Sequence, residues 1–142
     1  MPTAGTIKDN ILVLNVHSNR KTISHGFFAG IFGTLNRYGV VVDLISTSEV
    51  HVSMAMTAEL RPRTLERLSA ELEHIGSVSI VRHMVLLSLV GTEMRQMGGV
   101  AGSMFSTLAE GNVNIEMISQ GANEINISCV IHEKSALKVR MS

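Results

Sequence analysis

The chain carries one stretch twice. Asp43-Leu-Ile-Ser46 and Glu116-Met-Ile-Ser119 correspond, and Glu116 stands 73 positions after Asp43. The same offset pairs Gly26, Phe32, Thr34 and Leu35 with Gly99, Phe105, Thr107 and Leu108, and Ile11-Leu-Val-Leu14 with Met84-Val-Leu-Leu87. After a two-residue insertion the match resumes, with Glu49 and Ser53 facing Glu124 and Ser128. A repeat of this length is a whole module rather than a solenoid turn. Small modules duplicated within one short chain point to binding or pairing before catalysis.

At 142 residues there is room for one ordinary domain or two small ones. Apolar residues make up 45% of the chain, enough to build a core and too many for disorder. Twelve basic residues balance twelve acidic ones, which argues against a nucleic-acid partner. No apolar run approaches the roughly 18 residues that span a bilayer, so no membrane partner is expected. Residues 1–5 lack the basic and apolar regions of a signal peptide, and a cytoplasmic location is expected. The single cysteine, Cys129, excludes an internal disulfide. Its repeat partner is Met54, and both are expected to fill core space.

Residues 3–8 read as a short polar edge strand and 11–16 as a buried strand. Ser24 suits the cap of a helix over 26–38, where Phe27, Phe28, Ile31, Phe32 and Leu35 recur at helical spacing. Gly39 suits its left-handed stop. Residues 40–46 are β-branched and apolar, a strand. Val50, Val52, Met54 and Met56 alternate with smaller or polar residues, a half-buried strand. Pro62 suits the first turn of a second helix, with Leu65, Leu68, Leu72 and Ile75 as its apolar stripe. Gly76 closes it and 78–81 form a strand. In the second copy the reading predicts a helix over 99–110 with Val100, Met104, Phe105 and Leu108 inward. Strands follow over 113–119 and 125–132, and a last helix opens near Ser135. The fold class is therefore α+β: two ferredoxin-like βαββαβ units, antiparallel sheets with helices on one face. The first unit covers 10–83. The second covers 84–142 plus 3–8: it lacks a final strand and a complete second helix, and the N-terminal strand is expected to fill its open edge.

Catalytic patterns are missing. Gly98-Gly-Val-Ala-Gly102 resembles a phosphate loop only loosely, with no Gly-Lys-Ser/Thr after it, and its glycines are expected to allow a tight start to the helix. The six histidines show no ligand spacing, so no metal site is expected. No Ser/His/Asp set is assignable. What remains is a binding geometry. The helix start at Ser24, Gly26, Phe27 and Phe28 offers free backbone N–H groups for a carboxylate. Asp43 on the next strand can hold an ammonium group, and together they suit a free α-amino acid. Asp43 paired with a loop cation such as Lys21 is the equal alternative. Ser46-Thr-Ser-Glu49 and Ser119-Gln-Gly-Ala-Asn-Glu124 serve either as hairpin connections or as a polar lining for a small ligand, and Gly121 permits a close backbone approach.

Ser24-His-Gly-Phe-Phe-Ala29, the run from Val42 to Ser53, and the run from Asn114 to Ser128 closely resemble the regulatory region of aspartokinases, in the fungal variant, over about residues 3–137. The resemblance implies tandem ACT domains, small-molecule sensing modules with the βαββαβ fold. It implies an effector site at Ser24, Gly26, Phe27, Phe28, Val42, Asp43, Thr47, Ser48 and Glu49. The matching second-unit candidates are Val100, Ala101, Asn114, Ile115 and Gln120, with Glu116 in place of the Asp. It implies a regulatory fragment with no catalytic residue and no cofactor of its own; ATP and magnesium belong to the kinase domain of the same polypeptide, which phosphorylates aspartate. Threonine is the effector of fungal members and lysine that of plant and many bacterial ones. Family members also pair into homodimers through these domains. A structural dimerisation module without ligand, or an ACT sensor for lysine, is the alternative reading.

Overall fold

The computed structural model describes residues 4–19, 24–91, 94–120 and 126–140, without the side chains of 4, 24, 25, 94–97 and 137–140. Ten elements follow in order: β1 (Ala4–Ser18), α1 (Ser24–Arg37), β2 (Leu44–Thr47), β3 (His51–Thr57), α2 (Pro62–Leu72), β4 (Gly76–Val90), α3 (Met94–Glu110), β5 (Ile115–Gln120), β6 (Asn126–His132) and α4 (Glu133–Arg140). The chain divides into two compact units, Leu12–Arg82 and the combination of Met1–Ile11 with His83–Ser142.

In the unit Leu12–Arg82 the strand order is β2-β3-β1-β4. Alternation along β1 sends Leu12, Leu14 and Val16 to one face, and Val52, Met54 and Met56 of β3 join them. Phe27, Ile31 and Leu35, four residues apart on α1, and Leu65, Leu68 and Leu72 on α2 close over that face. Pro62 stands in the first turn of α2, where its missing N–H costs nothing. Arg37 at the end of α1 pairs with Glu71 of α2 on the surface.

In the other unit the order is β1-β4-β6-β5, with the first part of β1 at the edge that the second repeat lacks. A Cβ placed on Gly5 would lie 3.3 Å from Leu89 Cδ2, which shows how closely β1 lies against β4 there. Val85 and Leu87 of β4, Leu108 of α3, Cys129 and Ile131 of β6, and Ala136 of α4 form the core.

The repeat extends to hydrogen bonds. Ile45 faces Met54 across β2–β3, and Ile118 faces Cys129 across β5–β6; Ser46 and Ser53 correspond likewise to Ser119 and Ser128. Because the register matches on both strands, the two-residue insertion falls between Gln120 and Ile127. Both α1 and α3 stop in the same left-handed turn. Val40 N–H donates to Leu35 O (3.0 Å) and Val113 N–H to Leu108 O (2.9 Å), around Gly39 (φ 65°) and Asn112 (φ 54°). Thr34 Oγ1 donates to Gly30 O (2.7 Å), and Thr107 Oγ1 to Ser103 O (3.0 Å).

Several expectations are corrected. The two strands expected over 3–8 and 11–16 are one strand, and so are those at 78–81 and 84 onward. The polar residues read as breaks are accommodated at single positions of positive φ, Asn10 (56°) and His83 (62°). The second strand begins at Leu44 rather than at 40, since residues 40–43 are spent in leaving the left-handed turn, although Asp43 N–H already reaches Ala55 O at 2.8 Å. Helix α3 starts at Met94, five residues early, so Gly98, Gly99 and Gly102 lie inside it instead of at its start. Val100 is consequently 39% exposed rather than inward. Helix α4 opens at Glu133, directly after β6.

Candidate functional site

The first-unit candidates fall into two groups. Gly26 is the third residue of α1, in the first turn whose N–H groups have no partner within the helix, and Phe27 is the fourth. Phe27 is fully buried in the core, its ring 5.4 Å from that of Phe28, so this position presents backbone rather than side chain. Thr47, the last residue of β2, and Ser48 and Glu49 in the β2–β3 turn are exposed. Ser48 N–H donates to His51 O at 2.8 Å, and Ser18 N–H to Val50 O at 2.7 Å. The second bond ties the turn to the end of β1, from which α1 opens. Thr47 to Glu49 thus belong at the same end of the unit as the helix start.

Val42 and Asp43 lie at the opposite end. They line a groove of about 360 Å³ with Phe32, Leu35, Asn36, Val40, Leu44 and Ile45, against the last turns of α1. A helix of 14 residues is roughly 20 Å long, so Asp43 is not beside the helix start of its own copy. The reason is the crossover: a chain that runs down a helix must begin its next strand at the helix's far end. Asp43 is exposed and Val42 half-buried. Lys21 and Thr22 lie outside the described residues, as does the side chain of Ser24.

The second-unit candidates are arranged differently. Val100 and Ala101 are the seventh and eighth residues of α3, where the helix's own carbonyls already take the backbone N–H groups. Ala101 is buried, Ile115 packs against the core, and Asn114 and Gln120 are exposed. Glu116 is exposed beside the irregularity between Ile115 and Met117 in the β5–β6 ladder. Gly121 and Glu124 lie outside the described residues. The repeat preserves the fold while only the first copy keeps its candidates at a helix start.

One further feature escaped sequence reading. Ser53 Oγ, on a side chain 7% exposed, donates to Asn15 Oδ1 (2.5 Å) and lies 2.9 Å from His51 Nε2. His51 in turn faces His17, with ring centres 5.9 Å apart. The signal available was strand alternation on β1 and β3, which puts these four side chains on the face opposite the helices. Cys129 is fully buried, and burial pushes its thiol from about 9.0 up to about 11, as core use requires. Among the described residues no helix is long and apolar enough to cross a membrane.

Comparison with known proteins agrees with this architecture. An ACT domain model matches residues 87–141. The aspartokinase of Saccharomyces cerevisiae is 56% identical over 138 residues, 96% of this chain and 26% of the yeast protein. Escherichia coli aspartokinase III, solved with lysine and aspartate in a T-state, superposes with a TM-score of 0.75 at 32% identity, over 96% of this chain and 31% of that one. A chain from a structure of aspartokinase alpha and beta subunits gives a TM-score of 0.77 at 30% identity, covering 99% of this chain and 93% of its own length. The chain spans about a quarter of the curated relatives it matches. It belongs to the aspartokinase family, as a regulatory region built of ACT units.

Proposed function

We propose that this region senses free threonine and pairs with a second copy of itself to do so, for feedback control of the aspartokinase that carries it. The 56% identity to the yeast aspartokinase supports the reading most directly. The ligand carboxylate would take the free N–H groups at the start of α1, beside the turn at Thr47, Ser48 and Glu49, and its ammonium group would take Asp43. These groups lie at opposite ends of α1 in one copy. Two copies, each offering its helix start to the other's Val42–Asp43 groove, complete two equal sites by symmetry. Catalysis, with ATP, magnesium and aspartate, belongs to a kinase domain elsewhere in the polypeptide, in the cytoplasm. The effector acts by binding one arrangement of the pair better than another, commonly worth about 1–3 kcal/mol.

A lysine sensor is the second reading, favoured by the lysine complex of E. coli aspartokinase III. Calorimetric titration of the chain with threonine and with lysine, alongside sedimentation, separates them. Threonine heat at one ligand per chain, abolished in Asp43→Ala with the dimer retained, is the expected result. Heat with lysine alone selects the second reading. A stable dimer without heat from either amino acid leaves a structural pairing module and overturns both.

A further inference from the structure

The His17–His51 pair is used by nothing above. It lies within the unit Leu12–Arg82, on neighbouring strands β1 and β3, on the sheet face away from α1 and α2. We propose that these two imidazoles chelate a divalent transition-metal ion of the zinc, nickel or copper class, independently of any amino-acid effector.

Three observations carry this. The first is distance. An imidazole nitrogen sits about 2.0–2.1 Å from zinc, so two rings sharing one ion have centres roughly 5–6 Å apart. The centres of His17 and His51 are 5.9 Å apart, within that range, and their planes are inclined by 52°.

The second is the support behind His51. Asn15 Oδ1 is an acceptor only, so the Ser53 hydroxyl spends its proton on it at 2.5 Å. Ser53 Oγ must then accept from His51, and the 2.9 Å contact places the imidazole proton on Nε2. The Nδ1 lone pair is left for a metal. A ligating histidine is commonly held in this way through its other nitrogen, which fixes both tautomer and ring orientation. Ser53 is itself 7% exposed and cannot turn away to water. The same bonding excludes Ser53 as a nucleophile activated by His51, since its proton already points at Asn15.

The third is the contrast between repeats. The polar pair behind the site recurs, with Ser88 and Ser128 hydroxyls 2.8 Å apart where Asn15 and Ser53 stand. The positions matching His17 and His51 hold Val90 and Asn126. The backbone arrangement is therefore common to both units, while the imidazoles belong to one of them, and one ion per chain is expected. Among the described residues no third histidine, cysteine or carboxylate joins the pair, so water completes the coordination. Two imidazoles with water ligands suit nickel, copper or zinc, and not calcium or magnesium, which seek oxygen.

The test is titration of the purified chain with zinc chloride and, separately, nickel chloride in a non-chelating buffer, with magnesium chloride as control. One equivalent of zinc or nickel should bind saturably and magnesium should not. His17→Gln and His51→Gln should each weaken binding at least tenfold, while His74→Gln and His132→Gln leave it unchanged. Ser53→Ala should weaken it several-fold by freeing the ring. In parallel, substoichiometric nickel should broaden the imidazole NMR signals of His17 and His51 before those of the other histidines. Binding unchanged in both His17→Gln and His51→Gln, broadening centred on other histidines, or no saturable binding at all would each overturn the proposal.

Discussion

Gly76 has no room for a side chain: a methyl group there would fall on the carbonyl oxygen of His17, a backbone atom that cannot move aside cheaply. Gly102, in the middle of α3, has nothing within 4 Å of such a methyl. The same substitution should therefore have opposite signs at the two positions. Gly76→Ala should cost about 1–3 kcal/mol through overpacking. Gly102→Ala should add roughly 0.5–1 kcal/mol, because alanine loses less chain entropy in a helix. Urea unfolding at constant m-value measures both. Cys129 gives a residue-scale prediction in pH. Its folded pKa of about 11 lies above the ordinary 9.0, so the stability it contributes is complete below pH 9 and is lost as pH rises toward 11. Cys129→Ser, with a hydroxyl that does not ionise there, should flatten the alkaline fall in stability between pH 9 and 11. At pH 8 the native thiol should resist alkylation that proceeds readily in urea.

The elements show how closely duplication preserved local physics. Both α1 and α3 stop through a hydrogen bond closing six residues around one left-handed residue, yet one copy uses Gly39 and the other Asn112. A side chain at Gly39 would meet no neighbour, so the cost of Gly39→Ala is purely that of the left-handed backbone, about 1–2 kcal/mol. Asn112→Gly should be neutral or stabilising by a few tenths of a kcal/mol, since asparagine tolerates that conformation only in part. Thermal unfolding of the two single variants tests this. The start of α3 illustrates what periodicity misses. Glycines at 98, 99 and 102 read as the tight start of the helix, but the residues before them carry the helix through them at a cost of roughly 1 kcal/mol each. The displaced start takes the second-unit candidates Val100 and Ala101 away from the free N–H groups.

At the scale of the whole molecule, residues 1–11 belong with His83–Ser142 and not with the strand residues that directly follow them. Deleting residues 1–9 should expose the β4 edge of that unit. Hydrogen exchange should then quicken in β4 from Met84 onward, in β6 and in β5, with β2, β3 and α2 little affected. Equal acceleration in both sets would mean that the N-terminal strand supports neither unit selectively.

Much of the fold is legible in the order of residues alone. The repeat, the βαββαβ order, the α2 stripe of Leu65, Leu68 and Leu72, the stop at Gly39 and the buried role of Cys129 all follow from periodicity and from the backbone needs of single residues. These are local properties, set by neighbours three or four positions away. Three things needed the tertiary structure. Asp43 lies a helix length from Phe27, because the path of a crossover is invisible in residue spacing. Asn10 and His83 continue strands that composition would break, because a ladder tolerates a single positive φ when pairing resumes on both sides. His17 and His51, 34 positions apart, meet only because β1 and β3 are neighbours in the sheet. Sequence determined which elements form and which faces they bury; the pairing of strands decided which side chains share a site, since those contacts are made between residues that the chain itself keeps far apart.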